Sequence, residues 1–428
     1  MSEFKAMRSH KPKLSAEQIS QKRRDEMLSR QKKARRDLAD HARRLAMEEQ
    51  QVQDEVEGEE SQAMEELDDE VGRTAERQQR RMRRRRRLQA KHWVGQFTTP
   101  EWMVTVPHDL NAGKGSKSGG GWLVMPRPEG KRVIIIASKG KTKARDMTGK
   151  VVKTFQSRLP GGSRHTACAQ GDGWSILDGI FHELDQTFYA TDVMAWKGYS
   201  LYDCTAEFRF YWLHSKLSEV NVSTKGDVPG ENDFRIIPVP YTDCDAEGLM
   251  RVWESTAPFI KDGLLFMAKP GHYSLGVSPL ALIWKDNHTT RYLTPSPGTK
   301  QGIVLVAGPE SNNRVPLLTS CGTCLAKLES STTELREGEL GRFYIDGADE
   351  VVDHLTETLV PQVHNLVFDK ASSLSRPAAD SWSKILFQSR VRKGETLSIE
   401  ALAAVAAEAN VLADEARQGL AEQLVMSG

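Results

Sequence analysis

The sequence contains no long apolar run. No apolar stretch in its 428 residues approaches the roughly 20 residues that a membrane-spanning helix needs. The longest, Ala401 to Ala407, consists mostly of alanine. The first residues, MSEFKAMRSHK, include no apolar segment of the kind that secretory signals carry. Since 27% of the residues are charged, we expect a soluble protein without a membrane anchor or a secretory signal.

Cysteine is scarce and odd in number, which argues against a disulfide framework. A chain of this length with so few thiols is typical of a reducing compartment, so we expect the cytosol or the nucleus. Cys321 and Cys324 form an isolated C-x-x-C pair, whereas structural zinc needs four ligands. We therefore expect neither a metal nor another cofactor. The five cysteines are Cys168, Cys204, Cys244, Cys321 and Cys324.

The near-neutral net charge of +1 conceals blocks of like charge. Residues 22–44 contain ten Lys or Arg against four acids, and residues 54–70 contain ten acids and no base. Residues 73–91 again contain ten bases, against one acid. Such blocks repel themselves and bury too little apolar surface to offset the entropy of ordering. We therefore predict a basic helical arm over residues 1–50 and a charged linker, acidic and then Arg-rich, over residues 51–95.

The segment from Ser15 to Met47 has the composition of a helix, because it lacks Gly and Pro and is rich in strong helix formers. Its apolar residues are sparse, and its bases fall on several faces. Such a helix has no apolar stripe broad enough to dock on its own domain. We expect a partner to order it, although an exposed basic helix without a partner also fits the pattern.

From Trp93 onward, aromatic and β-rich runs alternate with turn signals. This mixture predicts an α+β domain with a mainly antiparallel sheet over residues 96–295. Residues 296–428 are expected to form an α+β extension, whose role the pattern leaves open. The predicted strands include Trp122 to Met125, Arg132 to Ser138, Thr187 to Met194, Glu207 to Leu213 and Gly263 to Ala268, and the predicted helices are Ala246 to Trp253, Ala379 to Val391 and Ser398 to Val425.

The string from Phe208 to Leu217, FRFYWLHSKL, is too long and too rich in rare residues to match another family by chance. This string and seven shorter ones resemble the snurportin family, the import adaptors of spliceosomal small nuclear ribonucleoproteins. Their order and spacing hold from about Ser15 to Lys285. The shorter strings are Asp40 to Ala46, Gly130 to Arg132, Leu159 to Gly162, Trp174 to Asp178, Asp192 to Trp196, Tyr202 to Cys204 and Asp262 to Phe266.

The resemblance implies a fold. The snurportin cap-binding domain is similar to the nucleotidyl-transfer domain of messenger-RNA guanylyltransferases. We therefore expect an mRNA-guanylyltransferase-like (nucleotidyltransferase) antiparallel-sheet domain of the α+β class, preceded by a partly disordered arm. Those enzymes attack GTP with the lysine of K-x-D-G-x-R, and the equivalent position here is Arg127. Arginine stays protonated at physiological pH, so it cannot act as the nucleophile, and we do not expect an enzyme.

The cap that such a domain reads is 2,2,7-trimethylguanosine joined through a 5′–5′ triphosphate. Methylation at N7 makes the base cationic, which favours stacking on an indole, and the two methyl groups on N2 replace donors with apolar surface. By resemblance, Trp284 is the stacking tryptophan, although its spacing from Pro279 is one residue longer than in the family. Trp102 is a second cap-contacting tryptophan. The other cap-binding residues that the resemblance implies are Arg127, Lys131, Arg132, Lys216 and Lys285.

Other residues of these types have simpler interpretations. A lysine of the family corresponds to Met147, and Lys143 or Lys150 are the candidates to replace it. For Lys131 and Arg132 the alternative is a charged hairpin turn. The residues expected to pack or hydrogen-bond within the domain are Trp174, Trp196, Trp212, Trp253, His214 and His272.

The resemblance also implies partners. The arm is expected to bind importin-β as a basic helix inside an acidic solenoid, which long-range electrostatic attraction favours. The cap domain is expected to bind trimethylguanosine-capped snRNA in its ribonucleoprotein. Shuttling between nucleus and cytoplasm follows, with recycling by an exportin left open, since only four apolar residues lie near the N-terminus. The expected importin-binding residues are Lys22, Arg23, Arg24, Lys32, Lys33, Arg35, Arg36, Arg43 and Arg44.

Two alternatives to an import adaptor stay open at this point. A generic basic RNA-binding nuclear protein would bind capped and uncapped RNA alike. An active GTP-dependent nucleotidyltransferase would form a covalent adduct with GTP. The run from Arg80 to Arg87 fits either contact with RNA phosphates or a second nuclear-targeting signal.

Overall fold

The computed structural model describes residues 15–31, 45, 93–111, 121–166, 173–293, 295, 299–331, 335–353, 356, 358–372 and 378–407. Most of the predicted linker, and the predicted arm beyond residue 31 apart from Leu45, lie outside these residues. The helices are α1 (Ala16–Gln31), α2 (Ala206–Glu219), α3 (Ala246–Glu254), α4 (Trp382–Lys393) and α5 (399–407). In the described part of the chain, no helix is both long enough and apolar enough to cross a membrane.

The described residues form nineteen strands besides these helices. They are β1 (Thr98–Trp102), β2 (Trp122–Pro128), β3 (Lys131–Ser138), β4 (Lys141–Asp146), β5 (Val151–Phe155), β6 (Ser175–His182), β7 (Thr187–Trp196), β8 (Tyr199–Ser200), β9 (Ile236–Pro238), β10 (Thr242–Asp243), β11 (Lys261–Ala268), β12 (Gly276–Trp284), β13 (Gln301–Ala307), β14 (Arg314–Leu318), β15 (Cys324–Glu329), β16 (Leu340–Ile345), β17 (Gly347–Asp353), β18 (Thr358–His364) and β19 (Val367–Ala371).

Two sheets form the part of the molecule that holds the candidate site. The first sheet has the order β1-β12-β11-β2-β10, and the second runs β5-β4-β3-β6-β7-β8 with β9 beside β7. Apart from β1 with β12 and β7 with β9, the paired strands are antiparallel. Leu123 and Met125 of the first sheet pack in one cluster with Tyr189 of the second sheet and Phe210 of α2. The prediction of an α+β fold with mainly antiparallel sheets is confirmed.

The C-terminal part has a core of its own. Strands β15-β14-β13-β16-β19 form a third sheet, and β17 pairs with β18 in a hairpin. Ile303, Leu305, Phe343 and Ile385 bury their side chains between this sheet and α4. We call residues 299–393 the C-terminal module. Its α4 also contacts β1, which brings the module against the two-sheet body.

The strand predicted from Glu207 to Leu213 is wrong, because this segment is the middle of α2. Thr205 caps the helix, its side-chain oxygen accepting from the backbone N–H of Phe208. Ala206, Phe210, Leu213 and Leu217 then recur at a helical period and are all buried. The cap and the period outweigh the high strand propensity of the aromatic residues.

The expectation that the arm helix has no means of docking on its own chain is also wrong. In α1, Ile19 is buried, and Met27 and Leu28 pack against the apolar cluster beside the first sheet. Gln31 donates to the carbonyl of Pro270 at 2.8 Å and accepts from the backbone N–H of His272 at 2.9 Å. Three apolar side chains and one bidentate amide therefore dock a helix that has no broad apolar stripe.

Candidate functional site

A cavity of about 370 Å³ opens between the two sheets. Its floor is apolar, because alternate side chains of β2, β11 and β12 point into it. Methionine is prominent there, and its flexible, polarisable side chain adapts to irregular shapes. The apolar lining consists of Met125, Met147, Ile180, Phe210, Leu265, Met267, Ala281 and Ile283. We call this cavity the cleft.

Two buried ion pairs form the inner wall of the cleft. Arg132 holds Asp178 with two hydrogen bonds, Nε to Oδ1 at 3.1 Å and Nη2 to Oδ2 at 2.5 Å. Tyr273 donates its hydroxyl to the same carboxylate at 2.8 Å. Burial acts to lower the pKa of Arg132, but Asp178 raises it above its ordinary value. Asp192 is held in the same bidentate way by Arg209, with two contacts of 2.8 Å.

The turn between β2 and β3 sets the spacing between Arg127 and Arg132. Gly130 adopts a φ of 141° there, and a Cβ at this position would lie 2.4 Å from the carbonyl oxygen of Phe181. Only glycine fits this close approach to β6. The turn thus brings both arginines of a short string to the same cavity.

A cluster of cations surrounds a single carboxylate at the mouth of the cleft. The side chains of Arg127 and Lys285 both form ion pairs with Asp262. Lys384 of α4 also lines the cleft and pairs with Asp380 on its own helix at 2.7 Å. Burial lowers the pKa of Lys285, and the charges of Arg127 and Lys384 act in the same direction. One carboxylate between two cations leaves an excess of positive charge that favours a phosphate group.

Trp102 lies where the cleft meets the C-terminal module. Its ring centroid is 5.0 Å from that of Phe387 on α4, with an interplanar angle of 48°. The amine of Lys285 lies 5.3 Å from the same ring. The backbone N–H of Trp102 donates to Ser383 at 3.0 Å, which fixes the strand to the N-terminal turn of α4.

The structure brings together four of the seven residues that the sequence assigned to the site. Trp102, Arg127 and Arg132 line the cleft, and Lys285 joins them through Asp262. Lys131 instead points outward, 3.3 Å from Glu183, as the charged-hairpin interpretation predicts. Lys216 lies elsewhere on α2, where it pairs with Glu219 and lies 4.9 Å from the ring of Trp212.

Trp284 has no face open to a ligand. Its side chain is 0% exposed, and its Nε1 donates to the carbonyl of Leu397 at 3.1 Å. In β12, Ala281 and Ile283 line the cleft, so Trp284 points to the opposite side of the sheet. A displacement of one residue along a strand exchanges its two faces. The one-residue difference in spacing from Pro279 is therefore the signal that places this indole in the core instead of the cleft.

The other assignments concern packing and the position of Met147. Trp174 and Trp196 are buried, and Trp212 and Trp253 are partly buried against apolar clusters, as predicted. His214 contacts the carbonyl of Val239 at 2.9 Å. Met147, where the family has a lysine, lies in the apolar lining of the cleft.

Sequence reasoning missed the residues that the C-terminal module supplies. Lys384 and Phe387 reach the site from a helix almost 100 residues beyond Lys285. No local string marks them, because their role depends on how α4 packs on β1. Asp178 and Tyr273, which hold Arg132, were likewise not identified as site residues.

Residues 96–285 match the family model described as the Snurportin1 m3G cap-binding domain. Over these residues the chain is snurportin-like. The match includes both sheets of the cleft and ends at Lys285. The C-terminal module and α1 both lie outside the matched residues.

Solved structures that are similar to the chain include DNA ligases. A mycobacterial DNA ligase D complexed with ATP and MES is 10% identical, with 66% of this chain and 96% of that chain covered and a TM-score of 0.29. A structure from a structure-function analysis of Lig E DNA ligases is 11% identical, with 65% and 100% covered and a TM-score of 0.28. The ligase domain of LigD from M. tuberculosis is 11% identical, with 60% and 90% covered and a TM-score of 0.27. Likeness at this level supports no conclusion about fold or activity.

Proposed function

We propose that this protein is a nuclear-import adaptor that binds the 2,2,7-trimethylguanosine cap of spliceosomal snRNAs in the cleft between its two sheets. The observation that carries the proposal is the cleft itself, an apolar, methionine-rich cavity with a cationic mouth, whose lining residues other than Lys384 belong to the snurportin-like residues. In this proposal residues 96–295 have a guanylyltransferase-like fold, which binds a capped nucleotide without reacting with it.

The cleft matches the chemistry of a trimethylated base. Its volume of about 370 Å³ lies within the range of small-ligand sites. In this proposal the methyl groups on N2 contact the side chains of Met125, Met267 and Leu265. An unmethylated amine in the same place would lose its hydrogen bonds to water. The carboxylates of Asp178 and Asp192 lie in the same wall, each paired with an arginine, so these ion pairs add no net positive charge that would oppose a base made cationic by N7-methylation.

The mouth of the cleft matches the triphosphate. Phosphate oxygens would bind Arg127 and Lys285, which share a single carboxylate in the unliganded protein. Trp102 lies beside these cations, and we assign the stacking role to its ring because Trp284 is enclosed.

The import step rests on the basic arm. In the proposal importin-β binds α1 and the basic residues that follow it, and the protein shuttles between the nucleus and the cytoplasm. Lys22 and Arg23 of α1 border a cavity between the helix and the body, and Arg23 pairs with Glu101. An acidic partner would replace this contact with its own carboxylates.

Cap discrimination tests the proposal directly. Trimethylated and monomethylated cap dinucleotides would be titrated at one salt concentration, with uncapped RNA of the same length as the control. We expect the trimethylated cap to bind most tightly. Equal affinity for capped and uncapped RNA would instead identify a generic basic RNA-binding protein.

One observation favours a second candidate, a nucleotidyltransferase. Lys285 is a partly buried amine with a lowered pKa beside the cleft, which is the environment of a lysine nucleophile. Its ion pair with Asp262 holds the proton in place, however, and Arg127 occupies the position of the enzymes' nucleophile. Incubation with labelled GTP would leave a covalent adduct, absent from Lys285→Ala, if the enzyme interpretation were correct.

A further inference from the structure

A second cavity, of about 280 Å³, adjoins Trp102 on the side of the C-terminal module. Trp102 and Lys285 line one side of it, Phe387 and Arg392 of α4 line the other, and Tyr292 borders it as well. We call this cavity the groove. It shares Trp102 with the cleft, and Lys285 connects it to the cations at the mouth.

The groove carries positive charge that carboxylates neutralise only in part. Arg392 donates to the neutral carbonyl oxygen of Thr299 at 2.7 Å, and no carboxylate of the described residues lies within ion-pair distance of it. Lys285 shares Asp262 with Arg127, so that pair of cations also retains an excess charge. Backbone phosphates are the anions that such a row of separated cations fits.

The groove also has an exposed aromatic ring. Tyr292 is 64% exposed, and the guanidinium of Arg291 lies 5.1 Å from its ring. Its hydroxyl donates to Glu129 at 3.1 Å, and Arg291 pairs with the same carboxylate, so both side chains are held in position. An oriented aromatic ring beside cations is the arrangement with which proteins stack the bases of single-stranded nucleic acids.

We propose that the groove binds the first ribonucleotides that follow the cap, so that the C-terminal module extends the site from a cap to a capped RNA strand. The inference rests on the proposed function of the cleft. With the cap base in the cleft and the triphosphate at Arg127 and Lys285, Trp102 marks the point where the RNA strand leaves the cleft. The next phosphate then meets Arg392, and a base stacks on Tyr292.

The test compares trimethylguanosine triphosphate with a short trimethyl-capped oligoribonucleotide. Wild-type protein should bind the capped strand more tightly. Tyr292→Ala should weaken binding of the capped strand about tenfold, in the range of one lost base stack, and leave the free cap within about twofold. Tyr292→Phe should retain the wild-type affinity, because the ring remains. Arg392→Ala should reduce the salt slope for the capped strand by about 0.7, as expected for one lost contact with single-stranded phosphate.

Arg314→Ala is the matched control, since Arg314 is an exposed arginine at the start of β14 in the same module and does not line the groove. It should change neither affinity. Equal binding of free cap and capped strand by wild-type protein would overturn the inference and leave cap recognition intact. The inference would also be overturned if Arg392→Ala weakened binding of the capped strand and Tyr292→Ala did not. Binding that depends on charge alone would accept any anionic ligand. If the proposed function of the cleft were wrong, the result would be different: the wild-type protein would show no preference for the trimethylated cap itself.

Discussion

Trp102 and Trp284 lie on strands that pair with each other, yet their surroundings differ completely. Trp102 is partly exposed beside cations, whereas Trp284 packs with Trp122 and Leu264 in a closed apolar cluster. A ring that is already covered on both faces contributes to the stability of the fold, and a ring at a cavity mouth contributes to binding.

Alanine substitution should separate these two roles. Trp284→Ala should lower the free energy of unfolding by about 3–5 kcal/mol, because it leaves a large cavity in the core. Trp102→Ala should weaken cap binding by about 1–3 kcal/mol, the value of one stacked base. Chemical denaturation and cap titration, done on both variants, measure these effects. A stable Trp284→Ala protein with weakened cap affinity would contradict the assignment.

Lys285 predicts a pH dependence of cap binding. Burial, with Arg127 and Lys384 nearby, lowers its pKa from the ordinary 10.5, so the amine loses its proton at a lower pH than a surface lysine. Attraction for the triphosphate should therefore fall as the pH rises through that lowered pKa. Lys285→Arg should remove this fall, because the guanidinium stays protonated.

Affinity measured from neutral pH upward on both proteins gives the comparison, and titration of the ligand itself affects both curves equally. Identical curves for wild type and Lys285→Arg would show that Lys285 does not contact the triphosphate.

At the level of elements, α1 is held by contacts that its composition does not reveal. The bonds of Gln31 to Pro270 and His272 join it to the loop between β11 and β12. A helix that docks on the body cannot at the same time lie inside another protein's solenoid. If importin-β binds the arm as proposed, release of α1 must precede or accompany that binding.

Gln31→Ala should loosen the docked helix. It removes both amide bonds and leaves partly buried backbone groups unpaired, which weakens docking by about 1–3 kcal/mol. Amide hydrogens of α1 should then exchange with solvent faster, and importin-β should bind more tightly. Arg30→Ala is the control, because Arg30 is exposed and its ion pair among the described residues is with Glu26 at the surface. Equal exchange in both variants would mean that Gln31 does not hold the helix.

Local patterns predicted some elements and failed at others for physical reasons. Buried strands such as β3, which contains five consecutive buried residues from Val133 to Ala137, are evident from their apolar runs. The helix α2 was mistaken for a strand because its aromatic residues have high strand propensity, although Thr205 and the spacing of buried residues indicated a helix. The docking of α1 depends on a glutamine, for which no apolar pattern exists.

On the scale of the whole molecule, the two-sheet body and α5 share one core, although the C-terminal module between them has its own. Ile399, Leu402 and Ala406 of α5 belong to the same apolar cluster as Trp284 and Trp122. The resemblance that identifies the cleft extends only to Lys285. Reasoning about the site from these residues therefore could not predict that α5 packs over the core or that α4 contacts the cleft. Contacts between residues so far apart follow from packing and not from any local pattern.

Leu402→Ala should destabilise the body although it lies far along the chain from both sheets. Leu402 is 0% exposed, and loss of its side chain should cost about 2–5 kcal/mol. Glu400→Ala, an exposed position on the same helix, should leave the stability close to wild type. Thermal unfolding followed by tryptophan fluorescence compares the two. An unchanged melting temperature for Leu402→Ala would show that α5 is not part of the core.

The position of α5 has a consequence for synthesis of the chain. About 115 residues separate Trp284 from Ile399, which at translation rates of about 5–20 residues per second corresponds to roughly 6–23 seconds. During that interval the residues of both sheets have been synthesised. The helix α5, which covers the apolar face that carries Trp122 and Trp284, has not. The nascent chain thus passes through a period in which two large indole surfaces are available to chaperones or to other nascent chains. We therefore expect residues 96–285 alone to be less stable than the chain that includes α5.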